Sequence, residues 1–475
     1  MPPDAHPAPP GDTVRSGNPT PGDAVPLGGP TPGAAPPLGG AAPADAARSA
    51  GLASADAPPS AVSASGGAVP LGGAASGDAA PSAGSAPGTD APLAGAAPGG
   101  AEAAADRVPT PGATTGPAAP AAPVVITGLE TRVRRYPLHR AWDGGVDVNT
   151  LVITRVTTSD GRTGTGFAWT PRVGAGAVRA LLDDDCPAAL VGRTPDPAPR
   201  WADLTAHLAD AGAGGLAAMA VAAVDIALWD LAARRAGAPL VDHIGRRRDR
   251  VAAYGSGVNL DYPLEDLLGQ VRGWLDAGHR AVKIKVGSAD LDRDVRRVAA
   301  VRRLAGPGTA LMLDANQRWD LPAARRALAA LERFDPYWIE EPLPAADLDA
   351  YVRLRRATGV PFAVGENLRT VGAFRAAIDA GVCDIAQPNA VRVGGITPFL
   401  RIADLAAEAS VPVAPHLLPE LSAQLALCVP RAAMVEDIDR ASFAALGALE
   451  HPSGVALHAG WAAAATPPGH GLTFA

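Results

Sequence analysis

Ala281-Val282-Lys283-Ile284-Lys285-Val286-Gly287 contains the only two lysines in a chain of 475 residues; the rest of its 41 basic side chains are arginine. A guanidinium stays protonated near neutral pH, whereas a desolvated amine can accept a proton. Two lysines kept side by side therefore point to work that arginine cannot do. They alternate with apolar residues and run into a glycine, which reads as a buried strand with both amines on one face. Taken alone, the stretch equally suits an edge strand with a solvated face.

The stretches that follow decide between these readings. Asp314-Ala315-Asn316, Glu340-Glu341-Pro342 and Gly365-Glu366-Asn367 each close a short apolar run, and Asp314, Glu340 and Glu366 stand 26 residues apart. Equal steps present one carboxylate at one height on three successive strands. Short apolar strands recur at 251–254, 281–286, 310–314, 337–340, 362–365, 384–386, 411–415 and 434–436, with Ala/Leu/Arg-rich helical segments between most of them. That alternation predicts a parallel β/α barrel, whose active face lies at the C-terminal strand ends. Three converging carboxylates repel unless a hard cation joins them, and oxygen ligands suit Mg²⁺. Singly, each acid could instead cap a helix. With the lysines on the preceding strand, the set predicts abstraction of a proton next to a carboxylate. Lys285 is the expected base, its pKa depressed by Lys283 and the metal, and Lys283 is expected to bind the substrate carboxylate.

Composition sets the domain limits. Residues 1–123 are rich in Ala, Pro, Gly and Ser, carry no lysine or aromatic side chain, and read as a disordered leader without a secretory pattern. Residues 124–250 read as strands followed by helices, an α+β capping unit; 251–449 form the barrel, and 450–475 are expected to fold back on the cap. Cys186, Cys383 and Cys428 are widely spaced, which suits a reducing cytoplasm. The net charge of −7 argues against nucleic-acid binding, and the apolar run 216–231 is interrupted by Asp225 and Asp230, which argues against a membrane span.

Lys-x-Lys, Asp-Ala-Asn, Trp-Ile-Glu-Glu-Pro, Gly-Glu-Asn and Pro-His-Leu, in this order and at this approximate spacing, resemble the mandelate racemase subgroup of the enolase superfamily from about residue 124 onward. The resemblance implies an α+β cap over a (β/α)7β modified TIM barrel, one Mg²⁺ held by Asp314, Glu340 and Glu366, and enolisation of a small-molecule carboxylate. It places Asn316 near the metal, Glu341 behind it, His416 across the substrate from the lysine, and Glu436 on the substrate carboxylate. A homo-oligomer is the expected assembly.

One position departs from the family pattern. Gln387-Pro388-Asn389 puts an asparagine where the family pairs an aspartate with the histidine. An amide oxygen can accept from a ring N–H but supplies no charge, so His416 is expected to be the weaker base. That disfavours a two-base racemase and favours dehydration of a polyhydroxy acid. A racemase, epimerase or cycloisomerase, or a binding protein that kept the fold, stays open. The cap stretch Tyr136-Pro137-Leu138-His139-Arg140-Ala141-Trp142-Asp143-Gly144-Gly145 is expected to read the substrate through His139 and Arg140. Residues 167–172 are a candidate second wall.

Overall fold

The computed structural model describes residues 122–475 apart from Asp143 and Pro171, so the expected leader lies outside the described residues. The first strands, β1 (Ile126–Trp142), β2 (Val146–Thr158) and β3 (Thr163–Thr170), form an antiparallel sheet in that order. A helix, Gly215–Arg235, packs on β3. The contact is close because both surfaces are small. A Cβ at Gly164 would lie 2.1 Å from the Ala227 carbonyl oxygen, and one at Gly166 would lie 2.0 Å from that of Ala223. By length and composition this helix could cross a membrane, yet 83% of its apolar window is buried inside the protein.

Seven parallel strands carry the second sheet: β4 (Arg250–Ser256), β5 (Ala281–Lys285), β6 (Ala310–Asp314), β7 (Pro336–Glu340), β8 (Phe362–Val364), β9 (Ile385–Ala386) and β10 (Met434–Ile438). β4 to β9 pair in sequence order, and β10 returns to pair in parallel with β4. The strand expected at 411–415 is reduced to Val413, which bridges Ala386 and Ala432. Pro412 and Pro415 have no N–H to give a ladder. With Val413 as the missing stave, the circuit closes as the expected (β/α)7β barrel.

Strand alternation then sorts the side chains. Tyr254, Ala281, Met312, Trp338, Ala363 and Ile385 fill the barrel interior, with the Tyr254 and Trp338 rings edge to face at 5.6 Å. Val282, Ile284, Leu311 and Leu313 face outward into the core shared with the helices. Two residues beyond Ala281, Met312 and Trp338, the inward positions become Lys283, Asp314 and Glu340. The polar site is thus the next layer above an apolar plug.

The tail divides its contacts. Strands β11 (Val455–His458) and β12 (Trp461–Ala464) form a hairpin whose second strand pairs antiparallel with Arg250–Ala252. β4 pairs with β5 only from Gly255 onward, so its first residues offer a free edge to cover. The residues after the hairpin reach the cap: the His470 N–H donates to Asp230 at 3.0 Å, and Phe474 meets Phe167 at 5.4 Å.

Asp225 joins cap and barrel. Its carboxylate, fully buried, accepts the Thr397 N–H at 2.9 Å and the Thr397 hydroxyl at 2.5 Å, at the start of the helix Ile396–Glu408. Gly395 sits there at φ 116°, and a Cβ would come within 2.3 Å of the Asp225 Oδ2. Gly395→Ala therefore combines a left-handed backbone with a clash against a buried carboxylate. It is expected to cost about 2 kcal/mol or more, read as a lower midpoint in thermal unfolding.

Candidate active site

Register brings the expected residues together. Lys285 pairs with Asp314 across β5 and β6, and Asp314 with Glu340 across β6 and β7. The Lys283 ammonium donates to both Glu340 oxygens at 2.9 Å and stands 2.9 Å from Glu436 and 3.7 Å from Asp314. The Lys285 ammonium donates to Asp314 at 2.5 Å. His416 Nε2 lies 2.6 Å from Glu366, and Gln387 donates to Glu340 at 2.8 Å. Lys283, Lys285, Asp314, Glu340, Glu366, His416, Asn389 and Glu436 are all buried. Asn316 anchors its own N–H on Asp314 at 2.9 Å and lines the cavity above.

Without a cation on Asp314, the expected depression of Lys285 is opposed by this pairing. Burial pulls the Lys285 amine down, with Lys283 acting in the same direction, but Asp314, helped by Glu366 and Glu340, outweighs both and raises it. Lys283 is likewise held well above its ordinary value against burial, chiefly by Glu340 and Glu436. The amine most suited to accept a proton is therefore protonated while Asp314 faces it. Glu436 is drawn down to about 2, despite its burial, by Lys283 first. It also accepts from the Ser256 hydroxyl at 2.6 Å and the Leu417 N–H at 2.8 Å, so it acts here as an acceptor and not as a donor to a carboxylate.

Among the described residues, no three acidic, histidine or cysteine side chains are already gathered as a metal cage. The reason is visible in the pairing: Lys283, Lys285 and His416 each occupy one carboxylate. The donor set nonetheless fits a hard divalent ion. Asp314, Glu340 and Glu366 offer only oxygens, and the buried cluster is short of positive charge. Burial first, then Asp314, push Glu340 up to about 8 even with Lys283 in contact. Behind the triad, Glu341 accepts from Gln317 at 2.9 Å and from the Asn367 side chain at 2.7 Å. Asn316, Gln317, Glu341, Leu417 and Leu418 all hold positive φ at these strand ends, where strained backbone aims side chains into a site.

Asn389 is placed beside His416 as expected, but the other way round. Its oxygen accepts the backbone N–H groups of Val391 and Arg392, both at 3.1 Å. Its amide N–H donors therefore face His416, toward Nδ1 at 3.1 Å and toward the carbonyl at 3.2 Å. With Nδ1 receiving a proton donor, the ring proton belongs on Nε2, which points at Glu366. Histidinium would set two donors against each other at Nδ1.

A cavity of about 360 Å³ covers these groups, lined among others by Lys285, Asn316, Glu366, His416 and Glu436. Trp142, Trp169, Arg172, Arg318 and Arg392 complete its walls. Trp169 and Arg172 come from the expected second wall. Arg318 and Arg392 were missed: each follows a recognised element, Asp-Ala-Asn or Gln-Pro-Asn, by two or three residues, and that offset was the available signal. His139 and Arg140 do not line this cavity. Arg140 lies over the Tyr262 ring at 3.6 Å and pairs with Asp266 at 3.0 Å, while His139 meets the Ala445 carbonyl at 3.3 Å. Both line a neighbouring groove of about 750 Å³ that shares Trp142 and Val258 with the cavity.

Residues 124–245 match the mandelate racemase / muconate lactonizing enzyme N-terminal domain, and residues 266–475 match the enolase C-terminal domain-like family. The 3,6-anhydro-alpha-L-galactonate cycloisomerase of Streptomyces coelicolor is 36% identical over 325 residues, 68% of this chain and 89% of the relative. The L-talarate/galactarate dehydratase of Salmonella typhimurium is 37% identical over 59% of this chain and 71% of its own. A crystal structure of L-talarate dehydratase from Polaromonas sp., complexed with Mg and L-glucarate, superposes with a TM-score of 0.67 at 36% identity, covering 74% of this chain and 95% of that one. The chain belongs to the mandelate racemase / muconate lactonizing enzyme family.

The raised Glu340 sets a pH dependence. A carboxyl whose folded pKa lies above its unfolded value takes up a proton on folding, so its contribution to stability falls as pH rises between the two. Without metal, this group should therefore lower stability from pH 4.5 to about 8. Mg²⁺ should raise the unfolding temperature more at the top of that window than at its foot. Glu340→Gln should flatten this part of the profile and remove the Mg²⁺ shift, both read by thermal denaturation.

Proposed function

We propose that this chain is a Mg²⁺-dependent hydro-lyase that takes the proton next to the carboxylate of a polyhydroxy acid and expels a β-hydroxyl as water. The observation that carries the reading is the pairing of Lys285 with Asp314 and of His416 with Glu366 beneath one cavity. The dehydratase relatives support the substrate class. Asp314, Glu340 and Glu366 would hold the metal, which supplies positive charge against the charge building on the substrate carboxylate. Lys283 stays an ammonium among Glu340, Glu436 and Asp314 and faces the same carboxylate.

The remaining steps fall to side chains of the cavity. Once Asp314 no longer faces it, the Lys285 amine can give up its proton to solvent and accept the α-proton. The α C–H pair becomes the new C=C bond as the β C–O bond breaks, with its pair leaving on oxygen. The leaving oxygen takes its proton from the Lys285 ammonium, and His416 donates a hydrogen bond to it through Nε2–H. One water is released, and the enol product rearranges to a 2-keto-3-deoxy acid. Asn389 makes His416 a fixed donor, which suits elimination by one base better than racemisation by two. A cycloisomerase is the second reading, favoured by the Streptomyces coelicolor relative. It uses the same proton abstraction but returns the atoms without loss of water. The buried, reduced cysteines suit a cytoplasmic enzyme.

Incubating the Mg²⁺-loaded protein with a panel of sugar acids in deuterated solvent separates the readings. Deuterium incorporation with a keto acid one water lighter than its substrate supports dehydration. Exchange or isomerisation with no loss of water would replace it with the second reading. Lys285→Ala should lose at least about a thousandfold in kcat while still binding Mg²⁺; full activity in this variant overturns the mechanism.

A further inference from the structure

β4 ends at Ser256, which pairs with Lys283, so β5 outruns its neighbour. The Lys285 N–H on that side would be buried with no strand to meet. Asn259, itself fully buried, takes the strand's place: its Oδ1 accepts the Lys285 N–H at 2.9 Å. Its Nδ2 donates to Gln270 Oε1 at 2.9 Å, and Gln270 Nε2 donates to Asp439 Oδ2 at 2.7 Å. Arg297 holds the Asn259 carbonyl at 2.7 Å.

The direction of this chain is not arbitrary. The Asn259–Gln270 contact alone would survive a half-turn of both amides; the two ends would not, because the Lys285 N–H can only donate. Asp439 is an exposed carboxylate and can only accept. It therefore requires the Gln270 NH₂, which leaves the Gln270 oxygen for the Asn259 NH₂, and that leaves the Asn259 oxygen for Lys285. We propose that Asn259 is the positioning residue for Lys285, and that Asp439, on the rim of the neighbouring groove, sets the amide direction this requires. The catalytic importance of the contact rests on Lys285 being the base; the direction of the chain does not.

The two lysines make a direct test possible. Lysine-selective ¹⁵N labelling of the full chain with Mg²⁺ present gives only two backbone amide signals, from residues 283 and 285. Asp439→Arg puts a donor where the acceptor stands and should reverse the chain, turning the Asn259 NH₂ toward the Lys285 N–H. The Lys285 signal should move upfield and exchange with deuterium about tenfold faster, the change expected for one lost buried hydrogen bond, while the Lys283 signal holds. Asn259→Ala should do the same. Asn259→Asp should restore the Lys285 signal in the Asp439→Arg background, because a carboxylate accepts from both sides without a preferred direction.

If the Lys285 signal is unmoved by Asp439→Arg, or is not restored by Asn259→Asp, the proposal is overturned. Turnover adds a second readout, in which Asp439→Arg should lower kcat and leave KM near its original value. Wild-type protein that turns over no sugar acid would defeat the dehydratase reading while leaving the spectral result standing.

Discussion

The charge balance inside the barrel mouth is the constraint on which the rest depends. Lys283 and Lys285 are buried among Asp314, Glu340, Glu366 and Glu436. An ion pair removed from water gains little over an apolar contact of the same size, but a partner lost leaves a buried charge with nothing to meet it. Such a cluster is a poor device for stability and a good one for reactivity. Each carboxylate drawn away by a cation changes the proton affinity of the amine it leaves. On the proposed reading the same atoms would serve a second, metal-paired arrangement, and Asp314 is the group whose choice of partner would most directly affect Lys285.

The apolar plug beneath makes this possible. Tyr254, Met312 and Trp338 exclude water from below, so the charges above interact in a poorly screened medium. Above, the cap walls the cavity with Trp142 and Trp169, whose rings stand edge to face at 6.3 Å. Arg392 stands over the Trp169 ring at 5.5 Å and donates to the Glu366 backbone carbonyl at 2.9 Å, which couples the cap wall to the strand end that carries Glu366.

Much of this was legible in the sequence, for a definite reason. A strand has a strict period of two, so inward and outward positions can be counted from Ala281 to Lys285 without knowing the fold. Equal intervals between Asp314, Glu340 and Glu366 then fix their common height. What could not be read are side-chain directions set by partners far along the chain. Arg140 sits near the end of β1, in a stretch whose sequence suggested a loop with substrate contact, but Tyr262 and Asp266 draw it into the next groove. The Asn389 amide could have faced His416 with either end; two backbone N–H groups on its own loop decide the matter. The strand at 411–415 looked continuous because Val411 and Val413 are strong strand formers, yet the flanking prolines leave a single bridge.

The loop from Gln387 to Gly395 shows how the two halves of the fold act on one site. It carries Gln387 to Glu340, Asn389 to His416 and Arg392 to Glu366, and it ends at the helix start capped by Asp225. That helix has no acidic residue in its own first turn and no side-chain cap of its own. A buried helix-start donor, the Thr397 N–H, is met from the capping unit, and Gly395 is what lets the carboxylate approach. Burial pushes Asp225 up to about 7 against its hydrogen bonds to the helix start and the charge of Arg401, so this junction costs stability that a local serine or aspartate cap would not. An arrangement that costs more than the local alternative is best understood by what it fixes. Here it ties the cap, which carries the aromatic walls, to the loop that orients the histidine, so the walls and the proton chemistry share one reference point.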